Sequence, residues 1–161
     1  MANPRLLRVL ISALTVSTLG CAMTPERLPE VERRFYYILP TPRSQEGFLE
    51  AEEESRQAYL ERAGLWERWT ALPAEEREAA VAGDVKVGYH EFTLLMAWGP
   101  PADTQDRDAN GRPLVQHTYI RCTSGPKAGE YVQNHIDCDG TATETQVSIY
   151  NDIIAEIDYT K

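Results

Sequence analysis

This sequence predicts an α+β fold: helices packed on one face of a small antiparallel three-stranded sheet, with a helical N-terminal extension. Three observations predict it. Apolar residues recur at helical spacing as far as Trp98, with Tyr59, Ala63, Trp66 and Trp69 on one stripe. From Val115 the period changes to two: Val115, His117, Tyr119 and Arg121 alternate with Gln116, Thr118, Ile120 and Cys122. Residues 146–150 and 153–159 are then rich in β-branched and aromatic side chains, and Asn151-Asp152 between them suits a two-residue hairpin turn.

The chain opens with Arg5 and Arg8 around Leu6 and Leu7, an uncharged and mostly apolar run over residues 9–19, and then Gly20 and Cys21. A basic start, an apolar stretch of about 7–15 residues and a small residue before the cut describe a secretory leader. A membrane span would need ~18 or more apolar residues, and this run is shorter. A Cys directly after the cut resembles the signal of bacterial lipoproteins. Leu19 lies two residues before that Cys and Thr18 three before, where the consensus has Leu. The resemblance implies removal of residues 1–20 and acylation of Cys21 on both its thiol and its amine. Each buried methylene contributes roughly 0.8 kcal/mol, so several chains together hold a protein on a bilayer. Ala22 follows the Cys, in place of the Asp that retains such proteins at the inner membrane. The implied address is the periplasmic face of the outer membrane. The alternative is a plain cleaved leader with an incidental Cys21.

Without Arg5 and Arg8 the chain carries 14 basic against 25 acidic residues, a net −11. That balance argues against nucleic-acid binding, where a basic patch supplies most of the affinity, and against a polybasic hold on anionic lipid. Apolar residues make up 42% of the chain, enough for a core in one domain.

Residues 21–44 hold Pro25, Pro29, Pro40 and Pro42 and read as an extended tether. Residues 35–39, Phe-Tyr-Tyr-Ile-Leu, form an apolar patch within it, suited to an edge strand or to docking on a partner. Residues 45–83 read as the helical extension. Glutamates load the start of a helix over 45–69, as the helix dipole prefers, and Gly64 marks a break. Leu72-Pro73-Ala74-Glu75-Glu76 opens a second short helix that Gly83 closes. Residues 84–161 then form the α+β domain. Over 88–101, His90 stands at the N-cap, Tyr89 and Leu94 at the staple positions, Gly99 at the C-cap, and Pro100-Pro101 ends the helix. The expected core is Leu94, Trp98, Tyr119, Ile149 and Ile153, with Trp66 and Trp69 also inside.

Residues 123–143 read as a long loop with four Gly or Pro. Such loops are uncommon unless functional or tied down. In an oxidising compartment Cys122 and Cys138 can close it as a disulfide, contributing about 3 kcal/mol in the chain-entropy model. The alternative is a zinc set of Cys122, Cys138, His117 and His135, which lacks a C-x-x-C pair. Asp106-Arg107-Asp108-Ala109-Asn110-Gly111 matches the first half of a calcium loop. The second half fails, with His117 where a bidentate Glu belongs, and a polar turn before the first strand is the other reading. No nucleophile elbow, zinc-protease helix, phosphate loop or dinucleotide fingerprint is present. A catalytic set would have to centre on His90, His117 or His135, and no local signature supports one. No catalytic residue, cofactor or metal ligand is therefore expected.

Residues 88–101 also resemble the helix signature of small outer-membrane lipoproteins of the barrel-assembly machinery, the BamE-like (SmpA/OmlA) domain. Its pattern is roughly G-M-T-x-x-x-V-x-x-x-L-G-x-P. Gly88, Leu94, Trp98, Gly99 and Pro101 match it without a gap, while Tyr89 replaces Met and His90 replaces Thr. Residues 116–119 approximate the strand that follows in the family, and residues 147–154 its closing hairpin. The resemblance implies a lipid-anchored binding or scaffold module, not an enzyme, with protein partners in the cell envelope. Alternatives are a periplasmic inhibitor or binding module of the same fold, and an exported hydrolase.

Overall fold

The computed structural model describes residues 23–108 and 111–159; the leader, Cys21 and Asn110 lie outside them. The element order is α1 (Glu30–Ile38), α2 (Pro42–Glu50), α3 (Glu53–Arg62), α4 (Leu65–Ala71), α5 (Ala74–Ala82), α6 (Glu91–Trp98), β1 (Asp103–Asp108), β2 (Pro113–Cys122), β3 (Tyr131–Val132), β4 (Ala142–Tyr150) and β5 (Ile153–Tyr159). Helices precede strands as the sequence predicts, but five antiparallel strands stand where three were expected.

The prolines of the expected tether punctuate helices. Pro25 starts a 3₁₀ turn, Pro29 is the N-cap of α1, and Pro42 is the first residue of α2. Proline's fixed φ and missing N–H suit a helix start, so the same residues fit either reading until burial decides. Burial decides for helix: Phe35 and Leu39 are in the core, and α1 is neither an extended tether nor an edge strand. Thr41 caps α2 in a reciprocal box with Ser44. The helix expected over 45–69, with one break at Gly64, is three helices. Gly64, at φ 69°, makes the second break. The first falls at Ala51-Glu52, where no Gly or Pro signals it. There the buried guanidinium of Arg56 donates to Glu32 of α1 at 2.8 Å and to the Ala51 carbonyl at 3.3 Å.

The helices α1 to α5 enclose one core around Phe35, Phe48, Leu60, Trp69 and Leu72. A second core lies against the sheet and joins Leu94, Tyr119, Val147, Ile149 and Ile154. The helix α6 belongs to both. Phe92 and Met96 face the helices, while Leu94 and Trp98 face the sheet; each pair is four apart and so shares a side of the helix. A helix apolar on all sides is a buried one. Arg34 fixes the helical end of this arrangement, donating to Met96 O and Ala97 O at 3.0 Å and to Val81 O, the last carbonyls of α6 and α5.

The sheet order is β1-β2-β4-β5, with β3 pairing the end of β2. Asn151 (φ 50°) and Asp152 (φ 65°) make the expected two-residue turn between β4 and β5. A register shift at Ser148/Ile149 turns Ile154 inward, so Ile154 replaces the expected Ile153 in the core. Ile153 instead bridges to His90.

Candidate functional site

The helix α6 has eight residues and spans ~12 Å, whereas β2 has ten and spans ~33 Å. One helix therefore cannot cover the inward face of the sheet. Tyr119 lies beneath Trp98, and Arg121, one step further along the same face, emerges beyond the helix. Between this uncovered end and α1 runs a groove of roughly 1270 Å³. Arg33 and Tyr37 of α1 line it, with Trp98 of α6, Arg121 of β2, Tyr131 of β3 and Tyr159 of β5. Glu26, Asp84 and Glu130 also border it.

Trp98 is held by its indole N–H on Gly83 O at 3.0 Å and stacks on Tyr131, with ring centres 4.9 Å apart. The Arg121 guanidinium lies 6.0 Å from the Tyr131 ring centre. Burial pushes the Tyr131 phenol up to about 12, against the opposing pull of Arg121. Burial, followed by the charge of Glu26, also raises the Tyr37 phenol. Both phenols thus stay neutral at physiological pH and can donate. Among the described residues neither Arg33 nor Arg121 forms a salt bridge, while Arg34 and Arg56 do. The groove offers two cations without a carboxylate partner among the described residues, Arg121 donating only to Gly129 O at 3.4 Å, with neutral phenols and an aromatic wall on a chain of net charge −9.

The docking run expected at residues 35–39 supplies Tyr37 and the long loop over 123–143 supplies Tyr131, but sequence reading missed Arg33, Trp98, Arg121 and Tyr159 as parts of one site. Its signal was the string Arg33-Arg34-Phe35-Tyr36-Tyr37, whose arginines fall inside what reads as a tether. Helical spacing sends Phe35 into the core and leaves Arg33 and Tyr37, four apart, on the groove side.

Cys122 and Cys138 are bonded, with Cα atoms 5.3 Å apart, so they are not available as zinc ligands. The loop they close carries β3 and a 3₁₀ turn, His135–Cys138, and packs tightly on itself. A Cβ on Gly125 would meet Asp139 O at 2.6 Å, and one on Gly140 would meet Ser124 O at 2.7 Å. Asp106, Arg107 and Asp108 are extended in β1, paired with Val115, Leu114 and Pro113. Extended backbone does not curl its carboxylates around an ion, and Asp108 instead accepts from Gly111 N at 2.7 Å. Among the described residues no three His, Cys, Asp or Glu converge as a metal site.

Each histidine is paired with a carboxylate. His90 Nδ1 lies 2.8 Å from Glu76 Oε1, and His135 Nε2 lies 2.7 Å from Glu144. His117 is buried between Glu91 (Nε2, 2.6 Å) and Thr104 (Nδ1, 2.9 Å). A carboxylate only accepts, so Nε2 carries a proton toward Glu91, while Nδ1 shares a hydrogen bond with the Thr104 hydroxyl. Thr104, His117 and Glu91 stand in the order of a nucleophile, a base and an orienting acid. No part of that set lines the groove. It ties α6 to β1 and β2.

No known protein family, curated protein or solved structure matches this chain.

Proposed function

We propose that this protein is a lipid-anchored outer-membrane lipoprotein whose domain faces the periplasm and serves as a binding and scaffold module, with outer-membrane protein assembly as its setting. The groove carries this reading. Tyrosine, tryptophan and arginine dominate the binding energy of protein interfaces, and here they line one concavity. The apolar leader ending in Gly20-Cys21 supports the address, and the Cys122–Cys138 bond suits an oxidising compartment. The capped α6 followed by an antiparallel meander supports the likeness to BamE-like domains. Among the described residues no helix is long and apolar enough to cross a membrane; the proposed hold on the bilayer is Cys21.

The test is a pull-down from detergent-solubilised envelope, run beside membrane fractionation of the wild type and Cys21→Ser. The reading expects the wild type in outer membranes together with barrel-assembly subunits, and Cys21→Ser absent from that fraction. Recovery of a single enzyme would favour a periplasmic inhibitor. Turnover of a substrate with a histidine-dependent pH profile would overturn the module reading.

A further inference from the structure

We propose that the groove receives an extended peptide segment of an envelope protein, which pairs with the open edge of β3 and sets carboxylate side chains against Arg33 and Arg121. The inference rests on the binding-module reading and names the chemistry of its partner.

Three observations carry it. First, β3 pairs only with β2 among the described residues, and residues 129–133 border the groove. An edge strand leaves alternate N–H and C=O groups unpaired, ready for an incoming strand. Second, Arg33 and Arg121 lack salt bridges, whereas the neighbouring Arg34 is spent on three carbonyls and Glu30. Glu26, Asp84 and Glu130 on the same border repel a uniformly acidic partner, so carboxylates must alternate with uncharged residues to reach the two cations. An extended strand does this, because successive side chains point to opposite faces. Third, the wall of the groove begins at Glu26, directly after Pro25, and Pro25 is four residues beyond Cys21. Fully extended, that link spans about 14 Å. An acylated Cys21 would hold the groove at the bilayer surface, within reach of segments that emerge there.

The full chain carrying Cys21→Ser, in neutral detergent, is titrated with a seven-residue peptide in which valine or tyrosine alternates with glutamate. Comparisons are its lysine counterpart, a form N-methylated at alternate amides, and vesicles of phosphatidylglycerol with phosphatidylethanolamine. Amide and indole NMR shifts report the site. The expected result is that the glutamate peptide shifts residues 129–133 and the Trp98 indole, and that the other two peptides bind at least ~10-fold more weakly. Arg33→Glu and Arg121→Glu each lose about that factor while keeping the wild-type spectrum elsewhere. Equal binding of the lysine or N-methylated peptide, no shift at 129–133, or the same shifts from vesicles alone would overturn the proposal; the last assigns the groove to a lipid headgroup. These measurements do not depend on acylation. Their failure leaves the fractionation result standing, and the reverse also holds.

Discussion

Glu76 stands on α5 where α6 begins and does the work expected of an N-cap residue. His90, at the N-cap, makes no side-chain cap bond. Instead the Glu76 carboxylate accepts from His90 N at 2.8 Å, from the His90 ring at 2.8 Å and from the buried Thr93 hydroxyl at 2.5 Å. Burial opposes its charge, but these three bonds outweigh burial and hold the carboxyl below its ordinary 4.5. A depressed carboxylate stabilises the fold above the unfolded value, and that contribution is lost as pH falls through the folded value. Glu91 adds to the same limb: the His117 hydrogen bond lowers its carboxyl against burial. Unfolding free energy from urea melts should therefore drop as pH falls below 4.5. Glu76→Gln should flatten that limb, and Glu76→Ala should cost about 2–3 kcal/mol at neutral pH through the lost cap and the orphaned Thr93. An acid limb unchanged in Glu76→Gln would remove Glu76 from this role. Gly99 gives a second test. Its φ of 81° is positive as expected, but ψ is −166°, a region essentially confined to glycine and not the left-handed helical cap. An added Cβ meets nothing within 4 Å. The cost of Gly99→Val is thus conformational, more than about 1 kcal/mol, and Gly99→Ala should cost nearly as much. A wild-type melting temperature for both would contradict it.

At the scale of elements, legibility followed chemistry. Gly64, Gly83 and Gly99 are read correctly as helix ends because a positive φ needs glycine. The β4–β5 hairpin is legible because Asn and Asp tolerate left-handed backbone. The strand β1 is not legible: Asp103–Asp108 is exposed at every position, so no alternation reports it, and only pairing with β2 makes it a strand. Its charge protects that sheet edge from other chains. The helix α1 is misread for the opposite reason. Four prolines and an apolar run look like a tether, and only contact with Trp66 and Trp69, with ring centres about 6 Å from Phe35, makes Phe35 core. Deleting residues 35–39 should therefore unfold the helical core and not simply release a partner. Phe35→Ala should cost about 3–5 kcal/mol in a denaturant melt. A wild-type midpoint for Phe35→Ala would return α1 to the status of a tether. The Cys122–Cys138 bond should contribute about 3 kcal/mol, which the double Cys→Ala variant would lose. Hydrogen exchange in that variant should speed up first over residues 123–141, because the loop, not the helical core, is what the bond closes.

For the whole molecule, the shared helix α6 explains why a groove exists at all. It joins two cores but is too short to roof the sheet, and the uncovered end collects Arg121, Tyr131 and Tyr159 opposite α1. The site was only partly legible, through residues 35–39 and the long loop, because its residues come from many separate segments and no periodicity links them. In the proposed reading the place of that groove in the cell depends on Cys21. With helix beginning at Glu30 and a 3₁₀ turn at Pro25, the link from anchor to domain is short, so acylation would fix both address and orientation. The most direct measurement is the intact mass of the N-terminal peptide of the protein isolated from outer membranes. The account predicts a chain beginning at Cys21 with acyl chains on its thiol and amine. A chain that begins at Met1, or one with an unmodified Cys21, would contradict it.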